Sequence, residues 1–158
     1  MRRKSAITKT LEDGIPHHLK FGWYFDLVNG NMLHQNPFSS FWMGGFECTD
    51  KLNAFGNRVD FINITGHLEL LQEDYARLQQ FGIKTVREGI RWSQVETKPY
   101  TYDWKVVGKM IDCARQHHIQ QVWDLCHFGF PDDLTPLHPM FARRFAALCR
   151  AFIQYLSQ

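Results

Sequence analysis

Apolar residues along positions 38–158 fall into two spacings, which predict three strands and three helices. Short continuous apolar runs are typical of strands buried on both faces. They predict strands over residues 41–46, 83–87 and 119–126. Apolar residues three or four apart are typical of one helix face, and they predict helices over residues 67–81, 104–118 and 139–155. Residues 48–66 show neither spacing and are predicted to form a long loop.

The order of these elements, in which each strand precedes a helix, predicts an α/β fold with a parallel sheet and right-handed crossovers. A complete (β/α)8 TIM barrel takes roughly 250 residues or more. Residues 38–158 are therefore predicted to form a partial (β/α)8 TIM barrel of about three βα units. An N-terminal extension, partly irregular, is predicted over residues 1–37. A small open three-stranded sheet is the alternative architecture.

Polar side chains occur at matching positions where the predicted strands end. Glu47 follows the first strand, Arg87 ends the second and His127 lies at the end of the third. The carboxyl ends of parallel strands share one rim, where barrel enzymes bind substrates, so we expect these groups to converge on one pocket. Trp92 and Phe128 are predicted to add flat apolar walls for a sugar ring.

Each rim residue also has a purely structural interpretation. Arg87 could close the sheet by pairing with Glu88, Glu47 or Asp124. His127 could be a hydrogen-bonded core histidine, and Glu47 a solvated loop residue.

Asp124 is predicted to lie outside this pocket. It alternates with His127 along the predicted third strand, and successive strand residues face opposite sides of a sheet. Asp124 is therefore expected to point toward the helices and to pair with Arg115 or Arg144.

The composition excludes several classes of function. A net charge of +2, with no basic block beyond Arg2-Arg3-Lys4, argues against a nucleic-acid partner, because phosphate binding needs clustered cations. The scattered cysteines show no metal-ligand spacing, so reduced thiols and no metal are predicted. No cofactor is expected either. No apolar run approaches the ~20 residues of a membrane span. The basic N-terminus lacks the apolar core of a secretion signal, so a cytoplasmic location is expected.

Five groups of segments follow one another along the chain. They are Trp42-Met43-Gly44-Gly45-Phe46-Glu47-Cys48, Glu73-Asp74-Tyr75 with Phe81-Gly82-Ile83, Val86-Arg87 with Arg91-Trp92-Ser93, Tyr102-Asp103-Trp104, and Asp124-Leu125-Cys126-His127-Phe128-Gly129-Phe130-Pro131. Together, and in this order, they resemble the N-terminal part of family 1 glycoside hydrolases, the β-glucosidase-like clan of (β/α)8 barrels, and specifically a divergent branch of it.

The resemblance implies a role for each of the rim residues. His127 matches the strand-three histidine that hydrogen-bonds the sugar, and Arg87 matches the arginine beneath the nucleophile carboxylate. Glu47 lies where typical members carry a sugar-binding glutamine, and Gln94 replaces an arginine that follows Trp-Ser in the family. These departures leave the identity of the sugar open.

The resemblance also implies that the catalytic residues are absent from this sequence. In the family the acid/base glutamate follows an Asn at the end of strand four, and the nucleophile glutamate ends strand seven. No Asn-Glu dipeptide occurs in this sequence. The predicted function is the N-terminal portion of a retaining glycoside hydrolase, inactive by itself, with a carbohydrate or glycoside as ligand. The alternatives are a non-catalytic half-barrel that binds sugars or forms a homo-oligomer through its open sheet edges, and a barrel enzyme of another clan.

Overall fold

Seven strands and five helices make up the part of the chain that this computed structural model describes, residues 36–158. The strands are β1 (Met43–Gly45), β2 (Asp50–Leu52), β3 (Arg58–Asp60), β4 (Thr85–Gly89), β5 (Glu96–Lys98), β6 (Thr101–Tyr102) and β7 (Gln120–Asp124). The helices are α1 (Phe61–Ile64), α2 (His67–Gln80), α3 (Trp92–Val95), α4 (Lys105–Gln116) and α5 (Phe141–Leu156). The predicted extension over residues 1–37 lies outside the described residues, except for Asn36 and Pro37.

A parallel sheet with the strand order β1-β4-β7 organises residues 38–156. Gly45 pairs with Arg87, and Arg87 pairs in turn with Val122, so the three strand ends stand at one height. The helix α2 connects β1 to β4, α4 connects β4 to β7, and α5 follows β7. The fold is therefore α/β with three βα units, as a partial barrel requires, and the predicted strands and helices are confirmed.

Two glycines set the limits of the first long helix. Gly66 precedes α2 with φ 69° and Gly82 follows it with φ 66°, the left-handed region that favours glycine. The amide of Gly82 donates to the carbonyl of Gln79 and so satisfies one of the last carbonyls of the helix. No helix within residues 36–158 is long and apolar enough to span a bilayer.

The segment 48–66, predicted to be a loop, contains a hairpin and a helical turn. Strands β2 and β3 pair antiparallel, and the side chain of Asp60 caps α1 by accepting from the amide of Asn63. Each element is only three or four residues long, too short to show a period in the sequence. A second hairpin, β5–β6, lies between β4 and α4.

Helix α4 joins the two hydrophobic clusters of the core. Val107 and Ile111 pack in a cluster with Trp92, Leu148 and Phe152. Met110 and Ala114, the next residues around the helix, pack in a second cluster that contains Leu71, Tyr75 and Val86. Burying side chains of this size stabilises a fold by about 1.5–3 kcal/mol each, so these clusters hold the sheet against its helices.

A buried polar cluster crosses the second apolar cluster. His67 and Glu88 are about 1% and 0% exposed, and His67 Nε2 lies 3.3 Å from Glu88 Oε1. His67 Nδ1 lies 2.8 Å from Asp74, and the Tyr75 hydroxyl donates to Glu88 at 2.5 Å. The ring of Phe46 stacks on the His67 imidazole at 3.7 Å between centroids. The cluster therefore links α2 to the ends of β1 and β4.

This arrangement favours a charged His67. Burial alone opposes the charge, but the hydrogen bonds with Glu88 and Asp74 outweigh it and raise the pKa of His67 above its ordinary value of 6.5. A histidine with a raised folded pKa stabilises the fold fully below the unfolded value and loses that contribution as the pH rises through the folded value.

We expect the free energy of unfolding of the wild type to fall as the pH rises above 6.5, through the raised pKa of His67. Urea unfolding from pH 5.5 to pH 9 measures it. His67→Gln is expected to be less stable below pH 6.5 and to lose most of this pH dependence. His118→Asn, at an exposed turn with φ 53°, is the control and should keep it. If the free energy of unfolding changed with pH in the same way in the wild type and in His67→Gln, the proposed charge on His67 would be contradicted.

Candidate functional site

The strand ends bring Glu47, Arg87 and His127 together, as predicted. Arg87 lies in β4, Glu47 follows β1 by two residues, and His127 follows β7 by three. His127 Nε2 lies 3.6 Å from Glu47 Oε1, and the Arg87 guanidinium contacts His127 Nδ1. We call these residues, together with Asp124, the rim cluster.

Asp124 belongs to this cluster, so the prediction that it faces the helices is wrong. Its carboxylate accepts from Arg87 Nε at 2.6 Å and lies 3.0 Å from His127 Nδ1. Strand β7 ends at Asp124, so the strand alternation cannot be extended to His127. Arg87 is opposite Val122, and Asp124, two residues further on, shares that face of the sheet.

The two arginines predicted as partners of Asp124 bind other carboxylates. Arg115 lies 3.6 Å from Asp112, one helical turn away on α4. Arg144 is buried and pairs with Glu96 at 3.2 Å and with Asp133 at 2.5 Å.

Both carboxylates of the rim cluster are held in their ionised form. The hydroxyl and amide of Thr49 donate to Glu47 at 2.5 and 2.8 Å and lower the pKa of that carboxyl. Burial would raise the pKa of Asp124, but hydrogen bonds with Arg87 and His127 outweigh it and lower that pKa. The rim cluster therefore offers two carboxylate acceptors beside an imidazole and a guanidinium.

A thiol lies beside the cluster, which raises the question of a metal site. One ligand atom each from Cys48, Asp124 and His127 lie within 4.8 Å of one another. Burial, and then the charge of Asp124, raise the pKa of the Cys48 thiol to about 12. The Arg87 guanidinium already binds both Asp124 and His127, and a metal ion would lie beside this fixed positive charge. The residues fit a hydrogen-bonded cluster better than a metal centre.

Phe128 lies at the rim, but Trp92 does not. Phe128 is 66% exposed, and its ring meets the His127 ring edge to face at 4.7 Å. Trp92 is fully buried, packs against Phe141 and Phe145, and donates its indole N–H to Glu96 at 2.6 Å. The prediction that Trp92 forms a wall for a sugar ring is therefore wrong. Trp92 begins α3, and this turn faces the core.

The sequence did not point to Asp50, which ties the β2–β3 hairpin to the rim. Asp50 is 1% exposed, accepts from Arg58 at 2.7 Å and contacts the Ser93 hydroxyl. Its amide donates to the carbonyl of His127 at 3.3 Å. A Cβ at Gly129 would overlap the carbonyl oxygen of Asp50, so this close approach requires glycine after Phe128. In the sequence, the glycine at position 129 was the one signal that the backbone of another segment passes close by.

Comparison with known proteins identifies the fold of this chain but no sequence family. No protein-family model and no curated protein sequence matches it. The solved structure of the exo-beta-1,4-mannosidase Op5Man5 from Opitutaceae bacterium strain TAV5 matches with a TM-score of 0.53 at 15% identity. The match covers 72% of this chain and 22% of the mannosidase, so this chain spans about a fifth of that protein.

The chain therefore shares its fold with part of this mannosidase structure, and the predicted partial barrel is confirmed. At 15% identity the likeness extends to the fold alone. The mannosidase chain is several times longer, which agrees with three βα units forming one sector of a barrel.

Gly89 is predicted to be essential for the geometry of the rim. A Cβ added at Gly89, the last residue of β4, would lie 2.5 Å from Cys48 Sγ and would overlap the Cβ of Cys48. Cys48 is the residue after Glu47. We expect Gly89→Ala to lower the free energy of unfolding by about 1–3 kcal/mol, measured by urea unfolding, because overpacking displaces backbone.

Gly45→Ala provides the matched control. Its Cβ would meet Arg87 Cβ at 3.4 Å, close to ordinary contact, so a much smaller loss is expected. Equal stability losses for the two variants would show that the contact between Gly89 and Cys48 does not limit the packing.

Proposed function

We propose that this chain is the N-terminal portion of a retaining glycoside hydrolase of β-glucosidase type and contributes part of its sugar-binding subsite. The rim cluster carries this proposal. It lies at the carboxyl ends of three adjacent parallel strands, the position at which barrel enzymes bind their substrates. The glycoside hydrolase-like fold supports the same assignment.

The rim cluster has the chemistry to hold sugar hydroxyl groups. The Glu47 carboxylate is an acceptor, is 46% exposed, and lies 3.6 Å from the His127 imidazole. One sugar hydroxyl can donate to the carboxylate while a neighbouring hydroxyl hydrogen-bonds the imidazole. The exposed Phe128 ring offers an apolar surface to the C–H face of a pyranose. The proposed ligand is a carbohydrate or glycoside, without a cofactor.

The carboxylates of the rim cluster are poorly suited to the hydrolytic step itself. Retaining hydrolysis needs a protonated acid and a nucleophile, with carboxyl groups ~5–5.5 Å apart. Thr49 and Arg87 lower the pKa values of Glu47 and Asp124, the opposite of what a general acid requires. We therefore assign the chemistry to carboxylates on barrel strands other than these three, and we propose that this chain alone does not hydrolyse glycosides.

Titration of the isotopically labelled chain with methyl β-glucoside and methyl β-mannoside, followed by NMR, tests sugar binding. We expect shifts of the Glu47 and His127 signals for at least one glycoside. His127→Ala should weaken that binding by up to about tenfold, since one hydrogen bond is worth ~0.5–1.5 kcal/mol. Lys109→Ala, exposed on α4, should leave the affinity unchanged.

Two results would contradict the proposal in different ways. Absence of binding by the folded wild type would remove the sugar subsite. Turnover of aryl glycosides that is lost in Glu47→Gln would place catalysis in the rim cluster rather than on other strands.

The second candidate function is self-association through the sheet edges. Within the described residues, β1 and β7 each pair on one side only. Beside β1, Phe41 is 84% exposed and Trp42 is 70% exposed. Unpaired edges with apolar neighbours favour association.

Sedimentation velocity at increasing concentration tests this second candidate. We expect a concentration-dependent dimer or larger species, and Trp42→Lys should shift the equilibrium toward monomer by placing a charge beside the edge. Phe55→Lys changes a phenylalanine that is 88% exposed in the β2–β3 hairpin, so it should leave the equilibrium unchanged. A monomeric wild type at all concentrations would exclude self-association.

A further inference from the structure

A second candidate binding site lies on the outer face of α5, where none of the rim residues contributes. The turn of the β5–β6 hairpin and this helix border a shallow, open groove of about 520 Å³. Five residues line it, Tyr100, Met140, Arg143, Ala147 and Arg150, and none of them is acidic.

The helical spacing of the two arginines gives the groove a defined charge pattern. Arg143 and Arg150 are seven residues apart, which places them on one face about 10.5 Å apart along the axis. Ala147 lies between them and leaves room above the helix. Both arginines are exposed, and neither has an ion pair or hydrogen bond within residues 36–158. The adjacent Arg144 is 5% exposed and pairs with two carboxylates, so of the three arginines on α5 the two without a carboxylate partner among the described residues are those that face the groove.

The opposite wall of the groove is held in a strained conformation. Tyr100 has φ 65°, a left-handed backbone that costs a non-glycine residue roughly 1–2 kcal/mol. Its amide donates to Glu96 at 2.6 Å. Glu96 is itself buried and is held by Arg144 and by the Trp92 indole. Strain that the surrounding structure maintains in this way is concentrated at functional sites.

A buried hydroxyl without a partner lies near the groove. Tyr102 Oη has no hydrogen-bond partner among the described residues, and its electrostatic neighbours include Tyr100 and Arg150. A buried polar group left unpaired costs about 1–3 kcal/mol. The groove therefore combines two free cations with a strained, exposed aromatic side chain. The unsatisfied hydroxyl of Tyr102 lies beside the groove and is not part of its lining.

We propose that this groove binds an acidic oligosaccharide, in which Arg143 and Arg150 each hold one carboxylate and Tyr100 packs against the sugar ring between them. The guanidinium fork matches a carboxylate with two parallel hydrogen bonds. An aromatic ring packs on the apolar face of a pyranose. In an extended β-1,4-linked uronate chain, every second carboxylate points the same way, at a spacing close to two helical turns. A simple anion would engage one arginine only.

Isothermal titration calorimetry with a tetrasaccharide of β-1,4-linked mannuronic acid tests this proposal. We expect binding that weakens with salt, and a loss of about tenfold or more in the double variant Arg143→Gln/Arg150→Gln. Neutral β-1,4-mannotetraose is expected to show no binding that depends on these arginines. Arg115→Gln, an exposed arginine on α4, is the matched control and should bind the uronate as the wild type does.

Tyr100→Gly separates the contribution of the aromatic side chain from that of the charges. Glycine relieves the positive φ, so the variant should be at least as stable as the wild type in thermal unfolding while it binds the tetrasaccharide more weakly. Unchanged binding in this variant would remove Tyr100 from the site.

Three further outcomes would overturn the proposal. Equal affinity for monomeric mannuronate, or for sulfate, would show that the groove is a site for simple anions. Unchanged affinity in the double arginine variant would place the ligand elsewhere. A loss of uronate binding in His127→Ala would assign it to the rim, whereas failure of glycoside binding at the rim leaves the groove proposal intact.

Discussion

The ion pair between Arg87 and Asp124 connects two neighbouring strands on the open face of the sheet, and the geometry of the rim depends on it. Both side chains are about one third exposed, so the pair adds little stability, of the order of 0–1 kcal/mol. Its importance lies in position. The guanidinium holds Asp124 ionised, contacts His127, and opposes a second cation beside the Cys48 thiol. Stability comes instead from the two apolar clusters that α4 joins.

The sequence predicted the regular parts of the fold well because their periods are long enough to count. Helices α2, α4 and α5 each carry at least three turns of apolar spacing. Three rim residues were predicted because parallel strand ends share a rim. The side chain of Asp124 was assigned to the wrong face of the sheet because the strand alternation was counted back from His127. Strand β7 ends at Asp124, and the sequence pattern does not show where the strand ends. Trp92 was misplaced because a tryptophan near a rim has no sequence signal that separates core from surface.

Contacts between distant segments were invisible for a different reason. Asp50, His67 and Glu88 look like ordinary polar residues until the fold supplies their partners: Ser93 contacts Asp50 from 43 residues away, and His67 and Glu88 meet across 21 residues. The groove on α5 likewise depends on the β5–β6 turn, more than forty residues earlier, which supplies Tyr100. Arg143 and Arg144 illustrate the limit, because adjacent arginines on one helix face solvent and core respectively.

The alternation of charge along β4 has a consequence for how the sheet forms. Arg87 faces the open side and joins Asp124, whereas Glu88 faces the helices and joins His67 and Tyr75. A slip of β4 by one residue would exchange the faces of Arg87 and Glu88. The Arg87 guanidinium would then be buried against the His67 imidazole, and the Glu88 carboxylate would lie beside Asp124. Both errors are costly, since each leaves like charges adjacent. Two neighbouring residues of opposite sign thus select one strand register, which apolar residues alone would specify less sharply.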